Sequence, residues 1–204
     1  YLLICTSGGY SKSAEITVTV TPVSLAGAEV TVQNPTYNGK PQEPKVTVKL
    51  GDKTLSRDND YTKDATMQTD AGSYTLTIKG GGNYTDEIKN VEWKIEPVKI
   101  DSVMVSTAAV ISKVYDGTAK INMTAEEWAG ILEFRPSSAS ATVAVPIGAY
   151  TISDACFLED RDNQWVDSPE AGKKSAIAYT VTFNNSNYVL QTYGEDTPST
   201  SKVI

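Results

Sequence analysis

The clearest signal in the sequence is the stretch Ala71-Gly72-Ser73-Tyr74-Thr75-Leu76-Thr77-Ile78, which is followed by Gly82-Asn83-Tyr84. Tyr74, Leu76 and Ile78 alternate with polar residues, and this period of two is typical of a half-buried β-strand. The glycines that follow predict the loop of a hairpin, after which the alternation resumes. The stretch therefore predicts antiparallel β structure.

The same order of motifs occurs twice along the chain. A first cassette contains Tyr37-Asn38-Gly39-Lys40, the stretch quoted above and Asn83-Tyr84. A second cassette contains Tyr115-Asp116-Gly117-Thr118, then Ala171-Gly172, the alternating residues 179–183 and Asn187-Tyr188. Because self-similarity at this spacing is typical of arrays, the repeat favours small tandem β domains over one compact enzyme.

Composition excludes several function classes. The chain has 204 residues, a net charge of -7 and 40% hydrophobic residues. The acidic balance argues against nucleic-acid binding, which needs a basic surface. No apolar run of about 18 residues is present to span a membrane. Histidine is absent, which removes the commonest general base and the commonest metal ligand.

Two strand-then-proline junctions, at Pro22 and Pro97, predict the domain boundaries, because proline cannot continue a hydrogen-bonded ladder. We expect residues 1–22 to be the C-terminal hairpin of a preceding Ig-like domain, with a turn at Ser7-Gly8-Gly9. Residues 23–97 and 98–204 each predict an Ig-like antiparallel β-sandwich, although a β-grasp-like sheet order stays open. Both ends of the chain are expected to be cuts through a longer tandem array.

Residues at alternate positions, nearly all of them apolar, predict the individual strands. In the N-terminal part and the first cassette these residues are Ile16, Val18 and Val20; Val30 and Val32; Val46, Val48 and Leu50; Tyr61, Lys63, Ala65 and Met67; and Val91, Trp93 and Ile95. In the second cassette the predicted strands are 100–105, 110–115, 119–123, 141–145, 149–157, 176–183 and 188–193.

One short helix is predicted in the second cassette, at about residues 125–132. Thr124 and Glu127 have the spacing of a capping box, and apolar residues recur at helical spacing from Trp128 onwards. The fold class is therefore all-β, with one short helix in an insertion of the second cassette.

An acidic loop provides the candidate binding residues. Asp160, Asp162, Asp167 and Glu170 concentrate oxygen ligands of the kind that calcium prefers, but a solvated acidic turn explains them as well. Trp165 in the same loop is either a sugar-stacking platform or a side chain folded onto its own domain. These carboxylates could hydrolyse glycosides only within a pocket, and nothing in the sequence provides one. We therefore predict no catalytic residue, no metal and no cofactor.

Two further features have structural interpretations. Tyr74 stands where immunoglobulin sandwiches place a tyrosine corner, with its hydroxyl bonded to upstream backbone; in the second cassette Tyr179 comes later. Cys5 and Cys156 can form one disulfide bridge or remain two buried thiols.

The cassettes resemble two families of bacterial surface repeats. The first cassette is similar to the MBG family through Tyr37-Asn38-Gly39-Lys40-Pro41-Gln42, Ala71-Gly72-Ser73-Tyr74 and Gly82-Asn83-Tyr84. The second cassette is similar to the YDG family through Val114-Tyr115-Asp116-Gly117-Thr118 and Asn187-Tyr188-Val189-Leu190. The resemblance implies Ig-like adhesin-stalk modules in large secreted or wall-associated proteins, and it implies no catalytic residues.

The expected function is therefore non-enzymatic. The chain is predicted to be a repeat segment of an extracellular bacterial protein, serving as a spacer, an adhesin stalk or an adhesion module. Expected partners are a host or matrix protein or a glycan, together with flanking domains of the same polypeptide. The alternative is a carbohydrate-binding accessory module beside a secreted glycosidase, for which Trp165 and the 11 tyrosines are the motivation.

Overall fold

The computed structural model describes residues 2–15, 17–136, 142–161, 164–174, 176–191 and 201–203. The elements in chain order are β1 Leu2–Ser7, β2 Tyr10–Glu15, β3 Val23–Ser24, β4 Glu29–Gln33, β5 Lys45–Leu50, β6 Lys53–Thr54, β7 Tyr61–Asp64, β8 Gly72–Gly80, β9 Tyr84–Thr85, β10 Glu87–Ile95, β11 Val98–Val105, α1 Ala125–Ala129, β12 Leu132–Pro136, β13 Tyr150–Arg161, β14 Gln164–Asp167, β15 Ala176–Phe183, β16 Tyr188–Leu190 and β17 Ser201–Val203. The fold is all-β with one short helix, which confirms the predicted class.

The strands form several small sheets. Their orders are β1-β2, β3-β9, β4-β5-β6, β10-β8-β7, β12-β11-β16 and β14-β13-β15-β17. Most neighbouring strands are antiparallel, and two pairs, β3 with β9 and β11 with β16, are parallel. The Ig-like assignment and the domain boundaries at residues 22 and 97 stay predictions.

The chain divides into two compact units. Unit 1 contains residues 1–33, 43–66 and 74–93, and unit 2 contains residues 34–42, 67–73 and 94–204. The buried apolar side chains of unit 1 are Leu25, Val48, Leu55, Tyr61, Leu76, Ile78 and Trp93. The core of unit 2 is larger and is formed by Ile100, Val103, Ile121, Trp128, Phe134, Ala149, Tyr150, Tyr179, Val181, Phe183, Tyr188 and Leu190.

The alternation in the first cassette places the side chains as predicted. Leu76 and Ile78 of β8 are buried, whereas Ser73 and Thr75 beside them are exposed. Val48 of β5 is fully buried between exposed neighbours. In β10 the same alternation buries Trp93 and Ile95. Burial of such side chains is worth about 1.5–3 kcal/mol each, so the period of two carries much of the stability of these strands.

The second cassette contains the longest antiparallel pair. Strand β13 pairs with β15 from Tyr150↔Phe183 to Leu158↔Ala176, and the register shifts between Ser153 and Cys156. The shift marks a β-bulge, where one strand carries extra residues and bends. β15 has the predicted bounds, 176–183, because its alternating residues face one core.

Both cassettes share one unusual strand pairing. In the first, Val23 directly follows Pro22 and pairs in parallel with Tyr84. In the second, Val98 directly follows Pro97 and pairs in parallel with Tyr188. The strand after each proline therefore meets the Asn-Tyr motif at the far end of its own cassette.

The predicted helix begins where expected and ends early. The hydroxyl of Thr124 accepts a hydrogen bond from the Glu127 amide, and the Glu127 carboxylate accepts one from the Thr124 amide, which completes the capping box. The helix ends at Ala129 with Gly130 as its C-cap, and Leu132 begins β12 instead of continuing the helix. Tertiary pairing explains this, because β12 adds to the edge of β11 from Leu132 onwards.

Several predicted strands are wrong. Residues 17–20 are not a strand, since the register of β1 with β2 covers residues 10–15 and no strand in the described part of the chain pairs with residues 17–20. Residues 110–115 lie in no strand, and Val110 and Val114 are 89% and 90% exposed. Residues 119–123 and 142–145 contribute only isolated bridges, Lys120↔Cys156 and Phe134↔Val143.

Two other strands end earlier than the sequence predicted. β7 ends at Asp64, so Ala65 and Met67 do not continue it. β16 ends at Leu190, and residues 192 and 193 of the predicted strand, like residue 141 of another, lie outside the described residues. The predicted turn at Ser7-Gly8-Gly9 is confirmed, with Ser7 paired to Tyr10 and positive φ at both glycines.

Candidate interaction site

The two Tyr-x-Gly motifs are the same turn. The Asn38 side-chain oxygen accepts a hydrogen bond from the amide of Lys40, two residues on, at 2.9 Å. The Asp116 carboxylate accepts the equivalent bond from the Thr118 amide, also at 2.9 Å. The following glycines have φ values of 73° and 77°, the left-handed region that favours glycine. These motifs therefore shape the backbone.

The second turn carries an additional cation. The Lys113 ammonium donates hydrogen bonds to the Asp116 carboxylate at 2.7 Å and to the backbone oxygens of Thr118 and Lys120 at 2.8 Å each. The Lys113 hydrogen bond, with smaller contributions from Thr118, lowers the pKa of Asp116 to about 2. The Asp116 carboxylate is therefore almost fully ionised at neutral pH.

The Asn-Tyr motifs end each cassette with the same backbone contact. The amide of Val23 donates to the carbonyl of Asn83 at 2.9 Å, and the amide of Val98 donates to the carbonyl of Asn187 at 2.9 Å. The two asparagines differ in their surroundings: Asn187 is 6% exposed, whereas the side chain of Asn83 lies in solvent.

Within unit 2, the buried Asn187 binds the Asp70-Ala71 turn of the first cassette. Its side-chain oxygen accepts a hydrogen bond from the Ala71 amide at 2.6 Å, and its side-chain nitrogen donates to Asp70 at 2.9 Å. The Ser186 hydroxyl adds a bond to the Ala71 carbonyl at 3.2 Å. We call these contacts the Asn187 clamp. They satisfy both ends of a buried amide, which would otherwise cost about 1–3 kcal/mol.

An aromatic contact extends the clamp. The ring of Tyr37, from the first Tyr-x-Gly turn, meets the ring of Tyr188 edge-on with centroids 5.6 Å apart. Tyr188 also stacks on Phe183, at 5.7 Å. Burial, with a smaller contribution from Tyr37, raises the pKa of Tyr188. The Tyr-x-Gly and Ala-Gly motifs of the first cassette thus meet the Asn-Tyr motif of the second cassette in one place.

The corresponding motifs of the second cassette line an open groove. The groove has a volume of about 540 Å³, and Tyr115, Glu170 and Ala171 line it together with the apolar side chains of Val110 and Ile177. Tyr115 is 64% exposed, and Val110 is 89% exposed. We call this surface the Tyr115 groove. It unites exposed apolar side chains with a carboxylate, a combination suited to binding a polar turn that carries an aromatic ring.

The acidic loop forms a hairpin. β13 and β14 pair from Leu158↔Asp167 to Arg161↔Gln164. Glu159 accepts hydrogen bonds from Ser168 and Arg161, and these bonds, Ser168 first, lower its pKa. Among the described residues, no group of three or more acidic, histidine or cysteine side chains is placed to hold a metal ion. Asp162, Asn163 and the side chain of Trp165 lie outside that description, so the alternatives stay as the sequence left them: a solvated turn or a calcium site, and a Trp165 packed on its own domain or stacking on a sugar.

A second cleft, of about 730 Å³, lies beside the helix and is lined by Trp128, Asp154, Cys156 and Asp167. Cys156 is a free thiol that donates to Asp167 at 3.4 Å. Burial, reinforced by Asp167, raises the thiol pKa and thereby lowers the fraction present as the reactive thiolate.

Tyr179 bonds backbone much farther upstream than the few residues that a tyrosine corner spans, so this contact is not a tyrosine corner. Its hydroxyl donates to the backbone carbonyl of Val103, far upstream, at 3.3 Å, and burial raises its pKa to about 12. Tyr74 packs against Trp93 with ring centroids 5.0 Å apart, and its role as a corner stays a prediction.

Sequence reasoning identified the shared motifs as turn chemistry but missed the Asn187 clamp. The signal was present, since Asp70-Ala71-Gly72 and Glu170-Ala171-Gly172 repeat one another, as do Asn83-Tyr84 and Asn187-Tyr188. What the sequence lacked was any indication that a motif of one cassette meets a motif of the other, 116 positions away.

None of the helices in the described residues is long and apolar enough to cross a membrane. Comparison with known proteins adds no relative: no family model, no curated protein and no solved structure matches this chain.

Proposed function

We propose that the chain is a non-enzymatic, Ig-like repeat segment of a bacterial cell-surface or secreted protein, where it serves as a load-bearing spacer or adhesin stalk. The observation that carries this proposal is the repeated parallel pairing after each proline. Val23 pairs with Tyr84, and Val98 pairs with Tyr188, so each cassette joins its first strand to its last motif.

Parallel pairing of this kind suits a segment under tension. When a cassette is pulled from its two ends, its first strand and its Asn-Tyr strand move in opposite directions along their length. The hydrogen bonds between parallel strands lie across that direction, so several must break together. Within unit 2, a separate parallel bridge between Thr36 and Glu96 adds two hydrogen bonds: Glu96 accepts from the Tyr37 amide at 2.8 Å and donates to the Pro35 carbonyl at 2.9 Å.

The chemistry of the described acidic and thiol groups supports a non-enzymatic role. Glu159 is held by Ser168 and Arg161, and the Cys156 thiol has a raised pKa. Histidine is absent from the whole chain. These groups are used in hydrogen bonds within the fold, as expected of a structural module.

Single-molecule force spectroscopy on the whole chain tests the proposal. We expect two force peaks, one for each cassette. The first cassette, with about 75 residues, releases ~250–270 Å of chain at most, and the second, with about 107, releases ~350–390 Å. Extension without a resolvable force peak would contradict a load-bearing role.

A pair of variants connects the force to the parallel strands. Val23→Pro removes the amide that donates to Asn83, so we expect a lower force for the shorter release and an unchanged force for the longer one. Val20→Pro is the matched control, since Val20 is 86% exposed and lies in no strand. Equal effects of the two variants would count against the parallel pair as the resisting element.

A further inference from the structure

The Tyr115 groove corresponds, residue by residue, to the surface that the Asn187 clamp covers. Tyr115 occupies the place of Tyr37 in the Tyr-x-Gly motif, and Glu170-Ala171-Gly172 occupies the place of Asp70-Ala71-Gly72. Both corresponding segments line one groove in the second cassette. The chain therefore carries the same kind of surface twice.

Exposure distinguishes the two copies of this surface. Ala71 is 8% exposed and Tyr37 is half-buried, whereas Ala171 lies in solvent and Tyr115 is 64% exposed. The side chain of Glu170 is 60% exposed, with Arg161 at 3.6 Å. Asn187 and Tyr188 contact the first copy, whereas the second copy is exposed in the part of the chain that the structure describes.

The chain also carries a second Asn-Tyr motif of the same backbone geometry. Asn83 accepts from Val23 as Asn187 accepts from Val98, yet the Asn83 side chain is exposed. The Tyr84 hydroxyl accepts a hydrogen bond from the exposed Lys53, at 2.8 Å. Because the Asn83 side chain is exposed, its side-chain amide is available to a partner.

We propose that the Tyr115 groove binds the Asn83-Tyr84 turn of a second copy of this chain, head to tail. The side-chain nitrogen of Asn83 then donates to the Glu170 carboxylate, and its side-chain oxygen accepts from the backbone amide of Ala171. The ring of Tyr84 packs on Tyr115. Each contact repeats one seen in the Asn187 clamp. Because the donor and acceptor surfaces differ, the contact is heterologous and leaves one of each free for further copies. The inference extends the proposed role as a repeat segment by naming how repeats meet.

Two variants that each keep one half of the contact provide the test. The acceptor chain is ¹⁵N-labelled and carries Asn83→Ala, so only its groove is intact. The donor chain is unlabelled and carries Tyr115→Ala, so only its turn is intact. Both side chains are exposed, and such substitutions rarely change stability by more than about 0.5 kcal/mol.

We expect the donor chain, added to about 2 mM, to shift the amide signals of Tyr115, Glu170 and Ala171 saturably, with Kd on the order of 1 mM. A donor that carries both Asn83→Ala and Tyr115→Ala should reduce these shifts at least fivefold. A donor with Asn122→Ala and Tyr115→Ala is the matched control, since Asn122 is an exposed asparagine outside both motifs, and it should retain them.

Two results would overturn the inference. One is the absence of saturable shifts at the groove; the other is equal shifts with the donor that lacks Asn83, which would mean that a different segment occupies the groove. Force peaks are measured on single chains and need no association, so the proposed function and this inference can fail separately.

Discussion

The Asn83-Tyr84 and Asn187-Tyr188 turns have the same sequence and the same backbone pairing, yet opposite surroundings. Each carbonyl of the two asparagines accepts from the residue after a proline. Asn187 is buried against Asp70 and Ala71, whereas the Asn83 side chain is exposed. The comparison shows that the motif has two separable roles: its main chain closes a cassette, and its side chain binds a neighbouring segment where one is present.

The residue before each asparagine shows how the two turns diverge. Gly82 has φ of 59°, and a Cβ added there would lie 2.8 Å from the carbonyl oxygen of Asn59. Ser186 stands at the same place in the second cassette, where its hydroxyl binds Ala71. In the first turn this position therefore has no room for a side chain, whereas in the second turn its side chain binds Ala71.

Removing the aromatic centre of the second cassette should have the largest effect. Trp128 is 4% exposed and packs on Tyr179 with centroids 5.5 Å apart, so Trp128→Ala is expected to destabilise by about 3–5 kcal/mol. Hydrogen exchange should show the loss of protection in β13 and β15. Trp93→Ala, the counterpart in the first cassette, should instead expose β8 and β10; the same pattern from both variants would contradict two separate cores.

Exchanging the residues before the two asparagines should lower the stability of the two turns by unequal amounts. Gly82→Ser places a side chain at positive φ against backbone, and we expect a loss of about 2–4 kcal/mol in urea unfolding. Ser186→Gly removes one partly buried hydrogen bond and should cost only about 1 kcal/mol. Equal losses would show that the two turns are alike after all.

Truncating the two asparagines tests the comparison directly. Asn187→Ala leaves the buried Ala71 amide without its hydrogen-bond acceptor and removes one hydrogen bond to the Asp70 carboxylate, so we expect a loss of about 1–3 kcal/mol in unfolding free energy. Asn83→Ala, measured on the isolated chain at low concentration, is the matched control and should change it by less than about 0.5 kcal/mol. A large loss from the control would mean that the exposed side chain already has a structural role.

Acid should affect only the second Tyr-x-Gly turn. The pKa of Asp116 is lowered from 3.8 to about 2, so the folded turn favours the ionised form. Its contribution to stability is present above pH 3.8 and is lost as the pH falls towards 2. The Thr118 amide signal should therefore titrate with a midpoint near pH 2. Asp116→Asn, which imitates Asn38, should keep the turn and abolish that midpoint. If the Thr118 signal still titrates in this variant, the midpoint belongs to another group.

The local parts of the fold were predictable from the sequence. Alternation located β5, β8, β10 and β15, because a strand with one buried face must repeat every two residues. The capping box located the start of the helix, since Thr124 and Glu127 satisfy each other's backbone amides.

The errors share one physical cause. Val18 and Val20 alternate like Trp93 and Ile95, yet residues 17–20 lie in no strand, and no strand among the described residues pairs with them. Leu132 has helical spacing from Trp128, but pairing with β11 draws it into a strand. A strand needs a partner, and the identity of that partner is a long-range property.

By itself, the sequence determined what depends on neighbouring residues: the period of the strands, the all-β class, the helix start and the two turns at Gly39 and Gly117. These follow from backbone dihedral preferences and short-range hydrogen bonds. Only the tertiary structure decided that Asn187 is covered and Asn83 exposed. The two motifs are locally alike, and the difference arises because Asn187 meets Asp70 and Ala71, more than a hundred residues away, while no turn within the described ranges binds the Asn83 side chain.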